Sequence, residues 1–140
     1  MQLDVRGPRF AAAVTTLVLV VILITGNGWL ALAQTVVFAL GAVSARYAPY
    51  GVLFRTAVAP RLGPPRAFEP AEPVRFAQGV GFAFLAVASV AYLSGATLVG
   101  LVATGLALVA AFLNAAFGLC LGCEAYLLIR RVTTRTAATP

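Results

Sequence analysis

Cys120 and Cys123 are the only cysteines of the chain, and with Glu124 they read C-x-x-C-E. Thiols three residues apart can close a disulfide and exchange it, or pass sulfur on as a persulfide. They also make half of a tetrahedral metal site. Because the sequence has no histidine, a metal would need Glu124 or a second copy of the chain. The plainest alternative is that two small polarizable side chains pack in an apolar helix. Glu124 argues against packing alone, because a carboxylate near lipid is costly unless it is paired or used. Its expected partners are Arg46, Arg75 or Arg131.

Placed on one helix at about 100° per residue, Cys120, Cys123, Glu124, Leu127 and Arg131 share a face. Ala111, Ala115, Gly118, Gly122 and Ala125 fall opposite, at a spacing that lets helices approach closely. A second arrangement has Gly118 and Gly122 break the helix. A new helix starting near Cys123 then puts Glu124 in its first turn and Arg130 and Arg131 at its end, which suits the helix dipole. That helix N-terminus would lower the thiol pKa of Cys123, whereas apolar burial beside Glu124 in a straight helix would raise it. The residues alone allow both.

What must position this stretch is unusually oily. The 140 residues are 61% hydrophobic and 10% charged, with mean hydropathy +0.98. Soluble domains carry about 25% charged residues. Apolar runs cover about 10–25, 29–45, 76–93 and 98–118, and a crossing helix needs about 20 residues. A water-soluble bundle is disfavoured because these runs lack a polar stripe. Arg6, Arg9 and Ala31-Leu32-Ala33 around the first run resemble a secretory signal, but the apolar run continues past that site. Segments 46–75 and 119–131 read as a linker and an interfacial segment, and 132–140 as a polar tail.

All ten basic residues are arginine, and the net charge is +6. They flank the apolar runs and form no basic domain, so nucleic acid is not an expected partner. The N-terminus holds Arg6 and Arg9, the middle segment Arg46, Arg55, Arg61, Arg66 and Arg75, and the tail Arg130, Arg131 and Arg135. The turns GNG (26–28) and SGAT (94–97) hold none. The positive-inside rule puts both termini and the middle segment in the cytoplasm.

The halves repeat. RFAAAV (9–14) matches RFAQGV (75–80), and each opens a pair of apolar runs; YGVLFR follows the first pair and AYLLIRR closes the second. Both halves begin on the same side, as in a parallel repeat. PRLGPPRAFEPAEP (60–73) reads as an extended linker. Residues 50–58 suggest interfacial turns, with Val52, Leu53 and Phe54 toward lipid and Arg55 toward phosphate. Glu69 and Glu72 are expected to be solvated without a role. Asn114, Gln34, Gln78, Thr15 and Thr16 suit interhelical hydrogen bonds. Trp29 and Tyr92 suit one membrane boundary, and Tyr47, Tyr50 and Tyr126 the other.

RGPRFAA, PRLGPP, RFAQGVG and AFLNAAFGLCLGCEAYLLIRR together are similar to the domain of unknown function 4395 family, along nearly the whole chain. The resemblance implies a small bacterial integral membrane protein with four helices and the C-x-x-C-E in its signature. It also implies neighbours of thioredoxin-like or rhodanese-like type, and so thiol or sulfur chemistry.

The expected fold is an all-α integral membrane protein forming one membrane domain over 1–140. Its four transmembrane helices make two hairpins joined by a Pro-rich cytoplasmic linker, in the bacterial inner membrane. The expected function is a dithiol or sulfur-relay protein with Cys120, Cys123 and Glu124 as its site and no cofactor. Arg130, Arg131 and Arg55 anchor lipid or a partner, and Ala111, Ala115, Gly118 and Gly122 pack helices. The bilayer, a thioredoxin-like or rhodanese-like protein and a second copy of the chain are the expected partners. The alternatives are a structural or assembly subunit whose cysteines only pack, and a small sulfur-anion transporter.

Overall fold

The computed structural model describes residues 2–65 and 67–138; Arg66, counted above among the middle arginines, lies outside the described residues. The chain opens with a short strand, β1 (Gln2–Asp4). Asp4 then starts helix α1 (Arg6–Thr25): its Oδ1 accepts the Arg6 backbone N–H at 3.0 Å, filling one of the donors that a helix start leaves unpaired. Asn27 does the same for α2 (Gly28–Val43), its Oδ1 accepting from the N–H groups of Trp29 and Leu30 at 3.0 and 3.3 Å.

The middle segment is less extended than its prolines suggest. A 3₁₀ turn (Ala45–Tyr47) leads into α3 (Pro49–Leu53), a π-helical turn (Phe54–Val58) and α4 (Ala59–Leu62). Phe54 does not face lipid. It is buried against Phe10, ring centroids 5.8 Å apart, while Val52 and Leu53 are exposed. Strand β2 (Phe68–Pro70) pairs antiparallel with β1, Leu3 opposite Glu69. Then come α5 (Ala71–Ser94), α6 (Thr97–Phe117) and α7 (Leu121–Ala138).

Helices α1, α5 and α6 are long and apolar enough to cross a membrane, whereas α2 is a shorter apolar helix of 16 residues. At about 1.5 Å per residue α2 is roughly 24 Å long, against about 30 Å of hydrocarbon. The outer surface is oily: Leu17, Ile24, Val90 and Leu98 are all more than two-thirds exposed. The interior mixes large apolar side chains with alanines. Leu19, Ile22, Ala31, Phe38, Leu85, Ala88, Ala103 and Ala107 form the core. The hydroxyls of Thr35 and Ser89 meet at 3.0 Å between α2 and α5.

The repeat seen in the sequence reappears as reciprocal packing. α1 lies mainly on α6, and α2 mainly on α5, so each half packs chiefly on the other. Arg9 of RFAAAV donates to the Ala115 carbonyl of α6 at 3.3 Å, and Arg75 of RFAQGV donates to the Ala42 carbonyl of α2 at 3.1 Å. Each arginine meets the carbonyls a helix end leaves unpaired, where a cation is favoured. Phe10 packs on Phe54, the rings tilted by 42°, and its counterpart Phe76 packs on Tyr126 at 5.6 Å. The starts of α1 and α5 therefore share one end of the bundle with the ends of α2 and α6. The turns after α1 and α5 meet at the other, where Gly28 touches Tyr92 and Leu93.

Candidate functional site

The arginine-bearing end holds the site. Helix α6 stops at Gly118, whose φ of 70° lies in the left-handed region that favours glycine. Its N–H donates to the Asn114 carbonyl at 3.0 Å, and that of Leu119 to the Leu113 carbonyl at 3.2 Å. Of the two arrangements the residues allowed, the broken helix is the observed one. The chain turns and restarts at Leu121 as α7. The stripe of small residues is consequently split, with Ala111 and Ala115 on α6 and Gly122 and Ala125 on α7.

Cys120 stands immediately before α7 and caps it. Its carbonyl accepts the Glu124 N–H at 3.0 Å, and its Sγ accepts the Cys123 N–H at 3.1 Å. Cys120 and Cys123 form a disulfide with Cα atoms 5.2 Å apart. It is thus Cys120 that takes the capping position. The sulfur there meets a backbone donor and the positive end of the helix, both of which favour a thiolate once the bond is reduced. Helix α7 is seated on α5 through Gly122, where a Cβ would lie 2.6 Å from the Cα of Ala77, and through the Phe76–Tyr126 ring contact. Both sulfurs are half-buried.

The pair borders an open-sided cavity of about 700 Å³ lined mainly by α1, α5, α6 and α7. Arg9, Glu69, Gln78 and Asn114 also line it. Glu69, for which the sequence suggested no role, is the only carboxylate in that lining; its burial raises its pKa above the usual glutamate value. What brings it there is the pairing of β2 with β1, a long-range contact with no local signature. Glu124 is exposed on α7 and outside the lining, and the one ion pair among the described residues joins Arg6 to Asp4.

The arginines expected to anchor lipid or a partner lie at the same end. Arg130 donates to the Tyr126 hydroxyl at 3.0 Å, a bond that raises its pKa further, and Arg131 is exposed beside it. Arg55 donates to the Arg46 carbonyl at 2.7 Å. Among the described residues no group of three or more Cys, Asp or Glu is placed to hold a metal ion.

Searches among curated proteins and among solved structures gave no match. The family model for a domain of unknown function, DUF4395, matches residues 3–131, from β1 to the second arginine of α7. The chain therefore belongs to the domain of unknown function 4395 family.

Proposed function

We propose that the chain is a dithiol–disulfide protein of the bacterial inner membrane. It crosses four times as two hairpins, with both termini, the proline-rich linker and the cysteine pair on the cytoplasmic side. α2 is the short crossing, made by local thinning of the bilayer. The arginines gathered at one end of the bundle and the oily outer surface support this orientation.

The observation that carries the function is the Cys120–Cys123 disulfide at the start of α7, beside an open cavity. A bond across one helical turn closes too short a loop to staple distant elements. On the cytoplasmic side glutathione and thioredoxin keep structural disulfides reduced, so a disulfide there is one that cycles. Cys120 is the attacking sulfur, because its thiolate is held by the Cys123 N–H and the helix start. Cys123 is the resolving sulfur. A thioredoxin-like or rhodanese-like protein delivers or takes up the electrons or sulfur, docking where Arg130 and Arg131 are exposed.

The test is maleimide mass-tagging of native membranes with and without reductant. Wild type is expected to gain two tags only after reduction. Cys123→Ser is expected to leave a Cys120 thiol that alkylates at a lower pH than the Cys123 thiol of Cys120→Ser. A pair that stays reduced and unlabelled under every condition would remove the redox reading and favour a subunit whose cysteines only pack.

A further inference from the structure

The cavity continues beyond the disulfide. Phe84 and Leu106, which line it, also line an apolar groove of about 490 Å³ on the outer face of α5 and α6. That groove runs on past Val87 and Val102 to Val99 and Leu98, near the opposite end of the bundle. Two uncharged polar residues, Thr15 on α1 and Asn114 on α6, line the cavity. Neither makes a side-chain hydrogen bond among the described residues. Thr15 lies six residues beyond Arg9, roughly 9 Å deeper along α1. Polar groups at that depth are costly when unbonded. The space thus combines hydrogen-bonding groups and a disulfide with an apolar groove open to the side.

We propose that this space binds a prenylated quinone, head beside Cys120 and tail along the α5–α6 groove, and that the quinone reoxidises the dithiol. The proposal rests on the dithiol reading. A phospholipid fits less well, because its charged head belongs in water rather than next to Thr15. A quinone head is flat, uncharged and bears two carbonyl acceptors, which suit the donors of Thr15 and Asn114. It also accepts the two electrons and two protons that a dithiol releases. The Cys120 thiolate adds to the ring, forming a C–S bond and pushing an electron pair onto a ring oxygen, which takes up a proton. The Cys123 sulfur, losing its proton, attacks the Cys120 sulfur. The S–S bond forms as the C–S bond breaks, and the bonding pair returns to the ring. The second ring oxygen takes the second proton, and quinol leaves. Glu69 lines the same space and is a half-buried carboxyl suited to pass those protons.

The experiment uses the full chain in lipid nanodiscs, reduced and freed of reductant. Decylubiquinone, whose ring is fully substituted, is one oxidant; oxidised glutathione is the other. Loss of quinone absorbance and loss of maleimide-reactive thiols are followed together. Wild type is expected to consume one quinone per pair of thiols, and Cys120→Ser none. The ratio of the quinone rate to the glutathione rate is expected to fall about fivefold to tenfold in Asn114→Leu and in the near-isosteric Thr15→Val, as for loss of one hydrogen bond. Leu17→Ala, on the lipid-facing side of α1, should keep the wild-type ratio. Oxidation by glutathione but not by quinone would overturn the quinone site and leave the dithiol reading standing, and so would unchanged ratios in both cavity variants. Oxidation by neither would end both.

Discussion

Gly122→Ala probes the contact on which the site depends. A Cβ at this position would lie 2.6 Å from both Cα and Cβ of Ala77. Carbon atoms in contact sit about 3.5–4.0 Å apart, so α7 must move about 1 Å away from α5. The clash is with backbone, which cannot rotate away as a long side chain would. Overpacking of this kind costs about 1–3 kcal/mol, and the shift also loosens the Phe76–Tyr126 ring contact. Gly105→Ala is the control: it sits inside α6, and a Cβ there meets nothing within 4 Å. Alanine is the better helix former by about 0.8–1.0 kcal/mol, so this variant should unfold at or above wild type. Purified protein titrated from mild detergent into dodecyl sulfate, followed by near-ultraviolet circular dichroism, reads both. Gly122→Ala is expected to unfold at clearly lower dodecyl sulfate, and its disulfide to be reduced faster because the cavity wall has opened. If it unfolds together with wild type and Gly105→Ala, α7 does not rest on α5, and the cavity beside the cysteines loses its wall.

Three further outcomes are expected. Tyr50 donates to Gln34 Oε1 at 2.7 Å, and Gln34 Nε2 is buried without a partner among the described residues. Tyr50→Phe should therefore cost about 1–3 kcal/mol, and Gln34→Leu in the same chain should recover much of it, since replacing both partners is nearly neutral; no loss in the single variant would refute the bond. Thr35→Val and Ser89→Ala should couple by about 0.6 kcal/mol in a double-mutant cycle, and strict additivity would show that the hydroxyls do not pair. Burial raises the Glu69 pKa, so the folded state holds that proton more tightly than the unfolded chain does. Stability therefore falls as pH rises from the ordinary glutamate range through the raised value. Glu69→Gln should be the more stable protein at neutral pH, with the gap closing as pH falls below that range; a gap that does not change with pH would mean Glu69 ionises as freely as in water.

Most of the helices could be read along the chain because long apolar runs announce themselves locally. The apolar runs at 10–25 and 76–93 fall inside two of the three long apolar helices, and the run at 98–118 overruns the third, which ends at Phe117, by one residue. The turn at 26–28 marks a true boundary, since Asn27 and its neighbours provide their own cap. Helix α7 extends past Arg131 into what reads as a polar tail, because Thr and Ala after an established helix add one backbone bond per residue. The middle segment was less legible. Its prolines permit short helical turns at their N-termini, as at Pro49, and Phe54 turns inward because Phe10 offers a partner that only the fold supplies.

For the site, the spacing of Cys120 and Cys123 was enough to expect a disulfide as one outcome, because a bond across three residues is local geometry. Spacing and charge also located those cysteines near the arginine-bearing end. What lies across from them was beyond the chain's own order. Glu69 comes from a strand that pairs with the first residues of the protein, and Arg9 reaches across to the end of α6. Whether the helix bends at Gly118 depended on α7 finding a seat on Ala77. Composition and periodicity act on neighbours along the chain and so determine the apolar helices and the thiol pair. The cavity beside the pair exists only where α1, near the start of the chain, packs with α5, α6 and α7, and that packing is decided in three dimensions.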